Sequence, residues 1–261
     1  MTELMSQSDG PIHRLILNRP ARRNALVPAV ARSLAQEIEQ IEETGMARVI
    51  VLSGAGGHFC AGLDLRWLDS LGETPSVADL QHGLSDFQAA VLAIVRCPIP
   101  VIAVIQGTAA GFGFDLTLAC DMRLAANSAS FTSAFARMGL VPDGGSTFTL
   151  PRLVGVGRAL RVLMTDQSLD AQEALSIGLV EEVFPDQELE AGVARVTGSL
   201  IAGAEASVRA IKRLCRAGEG GALEQALSSE GAAQIQALQS AEFRTRLEAF
   251  TARAAARKAG A

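Results

Sequence analysis

Apolar positions along the chain follow two rhythms. Three short runs, IHRLILN (12–18), ARVIVLSG (47–54) and IPVIAVIQG (99–107), are rich in β-branched residues, and the second and third are almost unbroken in hydrophobicity. Such runs suit strands buried on both faces, as in a parallel sheet covered by helices. Between them, AVARSLAQEIEQIEE (29–43) and DLQHGLSDFQAAVLAIV (79–95) carry apolar residues at helical spacing. The alternation predicts an α/β fold. After residue 150 the pattern turns mostly helical. PRLVGVGRALRVLMT reads as a helix opened by Pro151, and LDAQEALSIGLV as one capped by Asp170 and Glu173 and ended by Gly178. VEEVF (180–184) reads as a short strand, and two Ala-rich stretches, about 187–217 and 222–258, as closing helices. This divides the chain into a core over residues 1–200 and a C-terminal helical region over 201–261.

Composition narrows the classes of function. The 261 residues suffice for a large buried core, and 49% hydrophobic with 20% charged residues is the balance of a globular protein. A net charge of −5 argues against general nucleic-acid binding. The start MTELMSQSDGPIHR has neither a basic segment nor an apolar run, and no uncharged stretch is long enough to span a bilayer. The expectation is a cytoplasmic protein without a membrane partner. Cys60, Cys97, Cys120 and Cys215 are far apart, as are His13, His58 and His82, so neither a disulfide framework nor a metal site is suggested. From Arg209 to Lys258 nine basic residues face five acidic ones. A solvated helix face and a phosphate contact are both open there, with Lys212 and Arg213 as the phosphate candidates.

Glycine-rich segments offer candidate ligand contacts. SGAGGHFCAGLDL (53–65) has Gly57 and Gly62 at the spacing of a phosphate-binding loop, but Leu63 and Asp64 follow where Lys and Ser or Thr are needed. GVGRAL (155–160) ends in Leu160 instead of the last glycine of a dinucleotide fingerprint and sits in a helical pattern. In QGTAAGFGFDLTLACD (106–121) a buried strand runs through glycines into a helical pattern that begins near Phe114. That corner can hold an oxyanion on unpaired helix N–H groups, or simply allow close packing. In MGLVPDGGSTF (138–148) Asp143 lies between a proline and two glycines, which is the chemistry of a tight turn.

Five segments in order, LNRPARRNAL (17–26), HFCAGLDL (58–65), GTAAGFGFDLTLACD (107–121), GLVPDGGSTFTLPRLVG (139–155) and LDAQEALSIGLVEEVFP (169–185), resemble the crotonase, or enoyl-CoA hydratase/isomerase, superfamily. The resemblance implies a spiral of ββα units, a C-terminal helical region used in forming a homo-oligomer (a trimer or dimer of trimers), and an acyl-CoA thioester substrate. Coenzyme A is then part of the substrate, and no separate cofactor is implied. By the same resemblance the backbone N–H groups of Leu63 and Phe112 hold the thioester oxygen, Phe112 departing from the glycine common at its position. Ala61, Gly62 and Asp64 flank the first donor and Gly111 the second. Arg22 and Arg23 fall where the family contacts the nucleotide of coenzyme A, and Lys212 is the further candidate for its phosphates.

Hydratases of this superfamily use two glutamates, and the matching positions here are Asp115 and Phe135. A phenylalanine cannot move a proton. GLVPDGG is similar instead to the ring-1,2-epoxyphenylacetyl-CoA isomerase and enoyl-CoA isomerase subset, whose loop aspartate is the acid/base. The resemblance therefore implies isomerisation through an enolate, with Asp143 carrying the proton and Phe112, Phe114 and Phe135 supplying an apolar wall that raises its pKa. Three alternatives stand beside it: hydration using Asp115, a nucleophilic Asp143 as in aryl-CoA dehalogenases, and a non-catalytic acyl-CoA binder. The dehalogenases rely on a tryptophan near position 135, whereas the single tryptophan here is Trp67. The width of the acyl pocket depends on the segment from Trp67 to Leu92, whose LDSLGETPSVADL (68–80) suggests a mobile loop.

Overall fold

The computed structural model describes residues 2–72, 75–217 and 219–259. The chain opens with a hairpin of β1 (Leu4–Asp9) and β2 (Ile12–Leu17), turned at Gly10 with φ +56. Pro28 starts α1 (Pro28–Thr44), whose Val30, Leu34, Ile38 and Ile41 form the buried stripe that the spacing predicts. The chain returns as β3 (Val49–Gly54), parallel to β2. Next come α2 (Leu65–Ser70) and α3 (Val77–Arg96). The loop expected over 68–80 is thus largely helical: Ser76 caps α3 by accepting from the Asp79 N–H, and Glu73 and Thr74 lie outside the described residues.

β4 (Val101–Ile105) runs parallel to β3 and is buried at every position, in keeping with its unbroken apolar run. It is followed by β5 (Thr108–Ala110), α4 (Phe112–Ala119), β6 (Met122–Ala126), parallel to β4, and β7 (Ser130–Thr132), parallel to β5. Then α5 (Ser146–Val154) and α6 (Val156–Thr165) break at Gly155, φ +82. Pro151 sits inside α5 and opens no helix, and the stretch expected as one helix from Pro151 is divided at Gly155. β8 (Leu169–Asp170) pairs antiparallel with β7 and leads into α7 (Ala171–Ser176), where Asp170 and Glu173 form the expected capping box. β9 (Glu182–Phe184) closes the large sheet beside β6, in the order β1-β2-β3-β4-β6-β9, while β5, β7 and β8 form a small second sheet.

Both faces of the large sheet are covered. Ile50 and Leu52 of β3 join α1 and α3 in the main core, whereas Val49 and Val51 point to the other face, onto Leu189 and Val193 of α8 (Leu189–Ala202). The two Ala-rich stretches each split in two, giving α8 with α9 (Glu205–Cys215), and α10 (Glu219–Leu238) with α11 (Ala241–Ala259). Leu223 and Leu227 of α10 belong to the main core, whereas Phe243 of α11 belongs to a smaller cluster with Leu68, Leu80, Phe135 and Leu140. No helix among the described residues is long and apolar enough to cross a membrane.

α4 is fixed at both ends. Arg123, buried, donates to the carbonyls of Thr117 (3.3 Å) and Cys120 (2.9 Å) at its C-terminal end and pairs with Glu181. Near its start Gly113 packs so closely that a Cβ there would stand 2.3 Å from the Cys60 carbonyl oxygen and 2.7 Å from the Cys60 Cβ. Gly113→Ala is therefore expected to destabilise the protein by about 1–3 kcal/mol, read as a fall of several degrees in the thermal midpoint. An unchanged midpoint would contradict this packing.

Candidate active site

Two main-chain segments meet behind the start of α4. Residues 60–64 run beside β5, with the Cys60 N–H donating to Thr108 O (3.0 Å) and the Ala110 N–H to Cys60 O (2.9 Å). On its other side the segment bridges Leu26, whose N–H donates to Gly62 O (2.7 Å) and whose carbonyl accepts from the Asp64 N–H (2.8 Å). Because pairing groups alternate along an extended chain, that bridge turns the N–H of Leu63 away from Leu26. Phe112 is the first residue of α4, so its N–H has no carbonyl one turn back to bond. Gly62, with φ +88, lets the segments touch: a Cβ on it would lie 3.1 Å from the Phe112 nitrogen. Leu63 and Phe112 both line one cavity of about 540 Å³.

Asp143 lines the same cavity, on the loop between the Ala136–Met138 turn and α5. Its Oδ2 accepts from Gln234 Nε2 (3.1 Å), while Oδ1 is buried without a hydrogen-bond partner. Burial pushes the carboxyl up to about 7; the Gln234 hydrogen bond opposes the rise and the charge of Glu230 adds to it. The loop hangs on three buried side chains. Asp115 of α4 accepts from the Gly144 N–H (3.0 Å), and Gln234 Oε1 of α10 from the Val141 N–H (3.0 Å). Glu230, one turn earlier on α10, accepts from the N–H groups of Gly145 (2.7 Å) and Thr147 (2.9 Å) and from the Thr147 hydroxyl. Burial raises the pKa of Glu230 as well. Asp115, fully buried, is raised well above the carboxylate range by burial first, then by the charges of Asp143 and Glu230.

Most of the residues singled out in the sequence converge here. Ala61, Asp64, Gly111, Phe135, Arg22 and Arg23 all line the cavity, with both arginines exposed at its edge. Asp64 is occupied structurally: it caps α2 by accepting from the Arg66 N–H and pairs with Arg19 at 2.8 Å. The ring of Phe112 packs edge-on against Phe87, centroids 4.7 Å apart. Two expectations need correction. Asp115 lies behind the cavity wall, under Gly144, where it holds the loop instead of facing a substrate. Lys212 is not at the cavity: its buried ammonium bonds the carbonyls of Ile94 (3.3 Å) and Ile99 (2.9 Å) and pairs with Asp121 (2.6 Å), leaving no proton for a phosphate. Glu230 and Gln234 escaped the sequence reading, since their burial depends on how α10 packs. Among the described residues no group of three His, Cys, Asp or Glu side chains is placed to hold a metal ion.

Main-chain donors beside a desolvated carboxyl form a site that can hold an oxyanion next to a proton carrier. The architecture around it is the crotonase fold: an enoyl-CoA hydratase structure from Bacillus halodurans superposes with a TM-score of 0.90 at 28% identity, covering 95% of this chain and all (100%) of that one. The enoyl-CoA hydratase/isomerase family model matches residues 8–257, and the chain belongs to that family. Its relatives carry both activities in their names. A Rhodobacter capsulatus protein named "Probable enoyl-CoA hydratase" is 37% identical over 236 residues, 90% of each chain. The Escherichia coli 1,2-epoxyphenylacetyl-CoA isomerase is 33% identical over 256 residues, 97% of each.

The buried carboxyl also makes a stability prediction. With its pKa raised from 3.8 to about 7 on folding, Asp143 costs nothing below pH 4, where it is protonated in both states. The cost grows from pH 4 to 7 and is complete above. Three units correspond to about 4 kcal/mol, from which an unpaired asparagine N–H takes back about 1–3 kcal/mol. Asp143→Asn should therefore be more stable than the wild type at pH 8, by about 1–3 kcal/mol, with the advantage shrinking as the pH falls and turning into a deficit of about 1–3 kcal/mol by pH 4 in denaturant titrations.

Proposed function

We propose that this family member is an enoyl-CoA isomerase that shifts a double bond along the acyl chain of a coenzyme A thioester. The N–H groups of Leu63 and Phe112 hold the thioester oxygen. Asp143 removes a proton from C2, the electrons of that C–H bond delocalise into a dienolate, and the same carboxyl returns the proton at C4. The double bond moves from C3 to C2 and no oxidant, reductant or water is consumed. Each amide contributes on the order of 3 kcal/mol to holding the developing charge, as judged by donor removal.

The observation that carries this reading is a single uncommitted carboxyl among the described residues of the cavity wall. Asp64 is tied to Arg19 and to a helix start, Asp115 stands behind the wall, and a buried phenylalanine occupies position 135. Hydration needs a second group to place water, whereas a proton shuttle needs one whose pKa lies near the working pH. Arg22 and Arg23 give the cavity edge positive charge for the phosphates of coenzyme A.

The proposal includes a homo-oligomer, a trimer or a dimer of trimers. Val156, Leu160 and Met164 recur every fourth residue on α6, 63%, 51% and 70% exposed, and Ile211 and Leu214 project from α9. Such an apolar stripe calls for cover. Light scattering is expected to give three or six times the 27.3 kDa chain mass, and the paired change Leu160→Glu, Met164→Glu to give a smaller species; a wild-type monomer would contradict this part.

For the chemistry, a 3-enoyl-CoA should gain conjugated-thioester absorbance with the wild type, and α-deuterium uptake should fall by about 10²–10⁴-fold in Asp143→Asn. Loss of absorbance from a 2-enoyl-CoA, unaffected by Asp143→Asn, would overturn the assignment in favour of hydration.

A further inference from the structure

We infer that Gln234 of α10 is the positioning residue for Asp143, holding the carboxyl by Oδ2 so that Oδ1 is the oxygen that receives and returns the proton. The inference rests on Asp143 being the proton carrier. The geometry is determined at both ends of the amide. Gln234 is buried at 2% exposure, and its Oε1 accepts from the Val141 N–H. Turning the amide over would set its NH₂ against that N–H, so Nε2 is committed to the other side, where it meets Asp143 Oδ2 at 3.1 Å. One side chain thereby ties two positions of the same loop, Val141 and Asp143, to α10.

The remaining groups around Asp143 cannot substitute for it. Glu230, also on α10, spends its oxygens on Gly145 and Thr147. Asp115, on α4, is turned to Gly144, whose N–H its Oδ2 accepts, and not to the Asp143 carboxyl. Arg137, from the turn before the loop, lines the cavity, but its charge is not among the influences on the Asp143 carboxyl. Burial and the charge of Glu230 push Asp143 toward its neutral form, and Gln234 is the side chain that favours the charged one. A carboxylate oxygen already accepting a hydrogen bond is the weaker base of the two. The free lone pairs are those of Oδ1, which is buried and unpartnered.

The direct test is a pH titration of the Asp143 carboxyl by carbon-13 NMR in protein labelled at aspartate, with the signal assigned by its loss in Asp143→Asn. Removing a hydrogen bond to the charged form raises a carboxyl pKa. Gln234→Leu is expected to move the midpoint from near 7 upward by about one pH unit. Gln234→Glu keeps the length and the acceptor for Val141, remains measurable where leucine disturbs the loop, and should move the last titration step up at least as far. The pH profile of α-deuterium uptake should shift with the NMR midpoint, with kcat falling more than KM rises. Folded variants whose midpoint stays at the wild-type value would overturn the role of Gln234 while leaving Asp143 as the acid/base. Full deuterium uptake in Asp143→Asn would instead remove the reading on which the inference rests.

Discussion

Keeping water from one carboxyl is the constraint around which this molecule is arranged. In water Asp143 would be a weak base near pH 4; on the wall of a cavity that Phe112, Phe135 and Leu140 also line, burial pushes it up to about 7. Such a group disfavours the folded state wherever it is charged, so the surrounding structure must hold it in place. It does so through polar side chains that are themselves buried, Asp115, Glu230 and Gln234, each accepting one or two loop N–H groups. The loop cannot relax toward solvent without leaving those acceptors unpaired in the interior.

α4 couples the carboxyl to the amide hollow. Its first residue, Phe112, offers a free main-chain N–H, and Asp115, one turn later on the same helix, grips Gly144 beside Asp143. The distance between the Phe112 amide and the Asp143 carboxyl is therefore set across a single turn of helix. The helix is located in turn by the glycine contact at Gly113 and by Arg123 at its far end. From the opposite side α10 holds the same loop by Glu230 and Gln234, which makes a C-terminal helix part of the site and not an appendage to it.

Legibility in the sequence tracked how local the determining physics was. β2, β3 and β4 were visible because strands covered on both faces must be apolar throughout, and the capping box at Asp170 because it is settled within four residues. Pro151 misled because a proline tolerated inside α5 looks in sequence like one that opens a helix. The glycine corners and the Asp143 loop were identifiable only when five segments were read together, since each alone is also ordinary turn chemistry. Lys212 was misplaced because a basic residue on a helix does not announce that two carbonyls of another segment and Asp121 will enclose it. Glu230 and Gln234 carried no signal: on an Ala-rich helix polar residues read as solvated, and only the packing of α10 over the loop buries them.

The central claim is spatial, that a thioester oxygen rests between two main-chain amides with its α-carbon under the free oxygen of Asp143. A crystal structure with a bound, unreactive acyl-CoA analogue tests it most directly. The account predicts the thioester oxygen about 2.7–3.1 Å from the nitrogens of both Leu63 and Phe112, with the α-carbon about 3–3.5 Å from Asp143 Oδ1. A bound thioester whose oxygen meets neither amide, or whose α-carbon faces away from Asp143, would contradict it.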